Sequence, residues 1–450
     1  MTRGSPHSET LRKWVHIGFG AVALLLPFLH WYQAAVLVAC AVVFNVSLLK
    51  KIAGGRLHRP VELDQRIPVG LVLYPTSILV LLLMLPARVD IVAAAWGILA
   101  AGDGAATLVG RRYGSRRWPW NRSKSVAGSA ALVIAGGAAG AYLCWWCRPV
   151  IIPPPYLWFS IGAPIAAALV AAAVETVPIR LDDNLSVPLT AATMLWAASM
   201  VSEDLAAGMI STLPAMLLQA IPANAAVALA GYVARTVSVS GAVVGAIIGT
   251  VMFVSAGWQG WSLLLVCFLC AAVTSRMGLQ RKTLLGIAEE RGGRRGAGNA
   301  VANTGIAAIA ALLAALSYGR EAGLIAMTAA LVAGASDTIA SEIGKAWGTR
   351  TWALLPPRLV RAGTSGAMSL EGTAAGLLGA AALATLAIGL GLVPRWALLP
   401  VVVGSTAGAL VESLLAASFE GPGILNNDAL NFINTALAAY VAVSFAGLLS

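Results

Sequence analysis

Asp103 ends an apolar run and opens the stretch "DGAATLVGRRYG", in which Ala106, Gly110 and Gly114 follow at offsets 3, 7 and 11. Asp337 ends another apolar run, and Ala340, Gly344 and Gly348 stand at the same offsets in "DTIASEIGKAWG". Each stretch leads into a basic loop and then a second patch: Ser125, Gly128 and Ser129 in the first case, Ser369, Gly372 and Thr373 in the second. Farther along come Glu175-Thr176 and Glu412-Ser413, followed by Asp182-Asp183-Asn184 and Asn426-Asn427-Asp428. Three matches in the same order mark an internal repeat.

Phosphoryl transfer depends mainly on positioning and charge neutralisation, and these residues suit it. Mg²⁺ takes oxygen ligands, usually one or two carboxylates plus phosphate oxygens and waters. The candidate metal ligands are Asp103 with Glu175, or with Asp182 and Asp183, and Asp337 with Glu412. Gly110, Gly114 and Gly128 would let backbone approach a phosphate, to which Lys124, Ser125 and Ser129 would donate. Arg111, Arg112, Arg116, Arg117 and Arg122 would set positive charge against a polyphosphate. No Walker A sequence occurs, so a nucleotide would be held by another scheme. Asp182 or Asp183 is the candidate general base; His16, alone at the start of a helix, reads as structural. The competing explanation of each acid is a salt bridge to a nearby arginine, and that of Arg116 and Arg117 is topology.

The elements that position these groups are membrane helices. Of the 450 residues 59% are hydrophobic and only 11% charged, far from a soluble composition. Apolar runs able to cross about 30 Å of hydrocarbon recur throughout, and about fifteen transmembrane helices are expected. The first, from about Trp14, lacks a small-residue cleavage site and reads as a retained span. With a cytoplasmic N-terminus, 26 of the 30 Lys and Arg fall in cytoplasmic loops, and only Arg88, Arg148, Arg320 and Arg395 fall outside them. The net charge of +11 is therefore topological, and no nucleic-acid partner is expected. The C-terminus would lie on the opposite side. The pairs Cys144/Cys147 and Cys267/Cys270 lie in apolar runs without His or acidic neighbours and read as packing.

The repeat divides this all-α polytopic chain into two homologous membrane modules, 1–203 and 204–450. An even number of crossings separates corresponding motifs, so every patch faces the cytoplasm and the duplication is parallel. Ionisable groups at membrane depth cost about 2.5–3.5 kcal/mol each on insertion scales, so acids repeated in context point to function.

The first set of motifs, "DGAATLVGRRYG", "NRSKSVAGS" and "VETVPIRLDDNLSVPL", together with "RKWVHIG" at 12–18, resembles the polyprenol kinase family that includes phytol kinase and dolichol kinase. The resemblance spans residues 12 to about 200. It implies a CTP-preferring, Mg²⁺-dependent membrane enzyme that phosphorylates an isoprenoid alcohol. By position, Asp103, Gly104, Gly110, Gly114, Lys124, Ser125, Gly128 and Ser129 would belong to the nucleotide-binding signature, and Glu175, Asp182, Asp183 and Asn184 to the acidic motif that follows. Ala127 stands where dolichol kinases tend to carry Glu, which tilts the implied substrate toward a shorter prenol.

The second module is similar to the phytyl-phosphate kinase family in "GIAEERGGRRGAGNAVANTG" (286–305), "SDTIASEIG", "GTSGAMSLEGT" (363–373) and "VESLLAASFEGPGILNNDALNFINT" (411–435). Members are thought to add a second phosphate to a prenyl monophosphate. Asp337, Glu342, Glu412 and Asp428 would take the catalytic parts, and Gly344, Ser369, Gly372, Thr373 and Asn427 would face the nucleotide. No lysine precedes Ser369, so Arg358, Arg361 or the pair Arg294/Arg295 would replace Lys124. Together the modules would turn an alcohol into a diphosphate, with prenyl lipid, nucleoside triphosphate and membrane lipid as partners. A C20 tail partitions into lipid by about 0.8 kcal/mol per methylene, so a site at helix ends meets both substrates. Two other classes share these features. A lipid-phosphate cytidylyltransferase would release diphosphate from CTP, and a lipid transporter or flippase would move substrate without nucleotide turnover.

Overall fold

The computed structural model describes residues 9–49, 69–119, 121–176, 182–286, 294–354, 357–361, 363–420 and 425–449. The loop 50–68, residues 177–181 of the acidic motif, residues 287–293 of the 286–305 stretch and residues 421–424 of the 411–435 stretch lie outside them. The protein is an all-α polytopic membrane protein. Among the described residues eleven helices are long and apolar enough to cross a bilayer, and two shorter apolar helices, Trp31–Ser47 and Gly70–Met84, accompany them.

The chain divides into two compact units, Met1–Ser199 and Met200–Ser450. In the first, the helix Val89–Tyr113 runs through the centre with 78% of its apolar window buried. Its Ala- and Gly-rich sequence explains the position, because small side chains let backbones approach where lipid supplies no hydrophobic drive. Around it stand a first span, Thr10–Phe28, and the helices Val126–Val150, Leu157–Thr176 and Asp183–Ser199. Trp96, fully buried on the central helix, donates to the Tyr74 hydroxyl at 3.0 Å.

In the second unit the most buried span is Arg320–Trp347, at 67%. It packs against Ala297–Leu316, Leu370–Gly389, Arg395–Ser418 and Asn427–Leu449, while Glu203–Val233 packs against Val239–Arg276 and Ala297–Leu316. The 38-residue segment Val239–Arg276 would measure about 57 Å if straight, nearly twice the hydrocarbon thickness. Gly257, at φ +67°, breaks it. Ser238, before its start, donates to the Arg295 carbonyl at 3.0 Å, while the Arg295 guanidinium donates to Ala271 O and Ser275 Oγ near its end, both at 3.3 Å. The segment is thus a hairpin of two legs. Among the described residues the candidate spans number eleven, against about fifteen transmembrane helices expected from the sequence.

After the Asp337 helix the chain forms a small antiparallel sheet that the sequence does not announce. Strand β1 (Thr351–Ala353) pairs with β2 (Arg358–Val360) on one side and β3 (Ala367–Ser369) on the other. The loop after the Asp103 helix makes a lesser version of this turn, with Arg117 bridged to Ser125 and Val126 N–H donating to Arg116 O at 3.0 Å.

Candidate active site

In each unit the most buried helix carries the aspartate singled out by the repeat. Asp103 is the last residue of a π-helical turn, Ile98–Asp103, which packs against a second such turn, Leu132–Gly136. Gly102 and Gly136 meet there, and a Cβ on either would lie 3.1–3.2 Å from the other's Cα. Such turns displace the helix face by a fraction of a turn and concentrate at functional sites. The Asp103 carboxylate receives Lys13 Nζ at 2.5 Å and lies 3.3 Å from His16 Nε2, which also faces Leu99 O at 3.3 Å. Lys13 and His16 come from the first helix, Glu9–Gly20. Gly104 admits that helix, since a Cβ at 104 would sit 2.5 Å from Ile17 Cγ1.

Beside Asp103, Lys124 Nζ donates to Glu175 Oε1 at 2.6 Å and to Asp183 Oδ2 at 2.7 Å. Glu175 lies in the last turn of Leu157–Thr176, and Asp183 is the first residue of the next helix. One carboxylate oxygen each from Asp103, Glu175 and Asp183 lies within 4.8 Å of the others. Three hard oxygen donors at that spacing fit a divalent cation such as Mg²⁺. Burial pushes the Lys124 ammonium toward a lower pKa, but the Asp183 and Glu175 carboxylates more than offset this and hold it above the ordinary lysine value.

Asp182 does not join this cluster. Its Oδ1 accepts from Asn184 N–H at 2.9 Å and from Asn184 Nδ2 at 2.7 Å, an N-terminal cap on the helix, while Asn184 Nδ2 also reaches Gly70 O at 3.2 Å. Of the two candidate bases, therefore, only Asp183 faces the other carboxylates. Ser125 also caps a helix, its Oγ accepting from Gly128 N–H at 3.0 Å. Gly110 and Gly128 close around that hydroxyl, where a Cβ on either would come within 2.9 Å of Ser125 Oγ. Ser129 Oγ accepts from Trp118 Nε1 at 3.0 Å. The signature glycines thus make a close helix crossing around Ser125 and leave no open backbone cradle at that point. Arg111 and Arg112 are exposed at the end of the Asp103 helix, and the Arg112 guanidinium stacks over Tyr113.

The second unit repeats the crossing. Ser369 Oγ accepts from Gly372 N–H at 3.1 Å, and Cβ atoms on Gly344 and Gly372 would approach that oxygen to 2.9 and 3.0 Å. Here the crossing borders a polar cavity of about 380 Å³ whose charged lining is Asp337, Glu412, Glu420, Lys345 and Arg295. Ser369, Gly344, Gly372, Thr373 and Asn427 also line it. The Glu412 Oε2 atom is buried without a hydrogen-bond partner, a feature that a cation ligand would explain. Glu420 closes another π-helical turn, Ala416–Glu420, and accepts from the Ser365 hydroxyl.

Several expected residues stand elsewhere. Glu342 is buried against Lys282 Nζ at 2.5 Å and Lys345 Nζ at 2.9 Å and does not line the cavity; it positions Lys345. Asp428 packs beside Gly298, away from the lining, and Arg294, Arg358 and Arg361 are exposed. The cation that sequence reasoning sought before Ser369 is supplied instead by Lys345, directly after Gly344, and by Arg295. Lys13, Lys345 and Glu420 were missed, although Lys13 lies inside the quoted "RKWVHIG" and Glu420 inside the quoted 411–435 stretch. Their signal was a charge inside an otherwise apolar helical run.

Residues 222–439 match a family described as "Integral membrane protein DUF92". An uncharacterized membrane protein of Synechocystis is 34% identical over 202 residues, 44% of this chain and 78% of that protein. Protein VTE6, chloroplastic, of Arabidopsis thaliana is 34% identical over 213 residues, 46% of this chain and 64% of that protein. Probable phytol kinase 2, chloroplastic, of Glycine max is 39% identical over 109 residues, 24% of this chain and 37% of that protein. The chain covers less than two thirds of either chloroplast protein. No solved structure matches it.

Proposed function

The chain belongs to the DUF92 family of integral membrane proteins, and from that premise we propose that it is an isoprenoid kinase with two active sites. The first unit phosphorylates a prenyl alcohol such as phytol, and the second phosphorylates the resulting prenyl monophosphate, with CTP as donor and Mg²⁺ as the metal. The observation that carries this reading is the convergence, at the most buried helix of each unit, of carboxylates from separate helices beside a lysine. The relatives named phytol kinase support the alcohol as one substrate. The recurrence of the Ser125 crossing at Ser369, down to the same glycine contacts, supports a duplicated module. The positive charge of the loops supports a cytoplasmic position for both sites.

Bound Mg²⁺ would neutralise the donor phosphates and polarise the transferred group. Asp103 and Glu175 would hold it in the first unit, which leaves Asp183 for the hydroxyl proton, and Asp337 and Glu412 would hold it in the second. Lys124 and Lys345 lie where they can neutralise charge that builds on the donor. In the first reaction the prenol oxygen bonds to the terminal phosphorus, the bridging phosphorus–oxygen bond breaks and CDP departs. The hydroxyl proton passes to a carboxylate oxygen of Asp183. In the second reaction the attacking atom is a phosphate oxygen that is already anionic, so no base is needed. Asn427 begins its helix as Asp183 begins its own, and the residue before each caps that helix: Asp182 bonds Asn184 N–H, and Asn426 bonds Ala429 N–H. An amide there can donate to the incoming phosphate where a carboxylate would repel it.

The test is product analysis with purified full-length protein, labelled CTP, Mg²⁺ and either phytol or phytyl phosphate. Asp103→Asn is expected to abolish the first phosphorylation and spare the second, and Asp337→Asn to do the reverse. A folded variant of either kind that loses both activities would overturn the assignment, as would release of diphosphate from CTP.

A further inference from the structure

The second unit holds an apolar trough that the reaction described above does not use. One wall is the first leg of the Val239–Arg276 hairpin, where Gly241, Gly245 and Gly249 recur every fourth residue; facing it are Phe268 on the second leg and Val227 on Glu203–Val233. From Gly241 to Gly249 the wall is about 12 Å long at 1.5 Å per residue. A Cβ added to Gly245 would meet nothing within 4 Å, so the trough is open at its middle.

Three polar residues, Arg295, Asn299 and Asn303, line this trough and also the charged cavity that contains Asp337 and Glu412. The Asn303 side-chain oxygen is buried there without a hydrogen-bond partner. An apolar channel that runs into a charged chamber past a guanidinium matches a ligand with a long hydrocarbon body and an anionic head. A nucleotide, polar at both ends, does not fit that division.

We infer that the trough seats the isoprenoid chain of a prenyl monophosphate whose phosphate lies in the adjoining cavity, with Arg295 at the junction. The inference rests on reading the second unit as a prenyl-phosphate kinase. It makes chain length a property selected by the protein, because a short chain would leave the trough unfilled and its phosphate less firmly placed.

The variant Gly245→Leu projects a side chain into the open middle of the trough, and Val227→Phe narrows it from the opposite wall. Two measurements use the full-length protein in detergent micelles. The first is equilibrium binding of tritiated geranylgeranyl monophosphate without nucleotide; the second is kcat/KM for C20 and C5 prenyl monophosphates. Each variant is expected to weaken C20 binding at least tenfold and to lower the C20-to-C5 ratio of kcat/KM at least tenfold, chiefly through KM. Gly245→Ala should stay within about twofold of wild type and so separates filling of the trough from damage to the helix. Binding of the C20 phosphate that is lost in Gly245→Leu, in a protein without kinase turnover, would sustain the trough and overturn the kinase reading. C20 binding and chain-length ratio unchanged in both folded variants would overturn the trough, as would wild-type protein that fails to bind the C20 phosphate.

Discussion

Asp103 and Asp337 occupy matching places on the two most buried helices, yet the acids around them are paired with cations in different ways. Asp103 is neutralised by Lys13 and faced by His16, and Lys124 ties together Glu175 and Asp183. Among the described residues, no salt bridge reaches Asp337 or Glu412. The buried lysine of the second unit, Lys282, is spent on Glu342, which stands off the cavity. One scaffold of capped serines and close glycine crossings therefore carries two electrostatic arrangements. The first is closed on itself by internal cations, and the second leaves the buried Glu412 and the half-buried Asp337 without an ion pair, open to a cation from outside. The difference follows the proposed substrates, since a neutral alcohol needs a proton acceptor and an anionic phosphate needs positive charge.

The largest effect expected from this contrast concerns Asp183 and Asn427. Asp183→Asn removes the proton acceptor from the first site and should slow alcohol phosphorylation about 10²- to 10⁴-fold, the usual contribution of a general base. Phosphorylation of the monophosphate should be unchanged in that variant. If the alcohol reaction survives within a few-fold, the proposed division between the sites is wrong. The reciprocal Asn427→Asp should weaken only the second reaction, through charge repulsion of the incoming phosphate.

Next comes Lys13. Its ammonium and the Asp103 carboxylate are both at least nineteen-twentieths buried, so Lys13→Met would strand a charge rather than replace a pair. A stranded partner of a buried ion pair costs about 3–5 kcal/mol. Thermal unfolding in detergent should show that loss, and the double variant Lys13→Met/Asp103→Asn should recover much of it. A single variant as stable as wild type would mean that Asp103 does not depend on Lys13 for its charge.

The Lys13 contact also shows what could and could not be read from the chain. The ordered repetition of Asp, Gly, Ser and Glu was legible because it survives as local spacing, and the all-helical membrane architecture because hydrophobic length is local. Lys13 and Asp103 are 90 positions apart, and no short pattern joins them. The π-helical turns that aim Asp103 and Glu420 leave no mark in composition, since one extra residue in an apolar helix keeps the run apolar. The glycines were read as a phosphate cradle because their spacing allows it; what they enclose is Ser125 or Ser369, which only the crossing of two helices reveals. Lys345 was overlooked because the first module places its lysine before the serine patch, and a one-to-one search for Lys124 looks past a cation 24 positions earlier than Ser369.

The smallest expected effect compares the two site lysines and fixes their pH dependence. Lys124→Gln leaves Glu175 and Asp183 without their shared donor and should cost about 2 kcal/mol at pH 7, in the range of hydrogen bonds to charged groups. Lys345→Gln should cost under about 1 kcal/mol, because Lys345 is partly exposed and Glu342 keeps Lys282. Lys124 has a folded pKa above its unfolded value, so its contribution is fully present below the unfolded value of about 10.4 and is lost as pH rises through the higher folded one. The stability difference between wild type and Lys124→Gln should therefore be flat from pH 7 to 9 and shrink only in the alkaline range. A difference that already falls between pH 7 and 9 would mean that Lys124 loses its proton near neutrality, and the first site would then lack the ion pairs with Glu175 and Asp183 that distinguish it from the second.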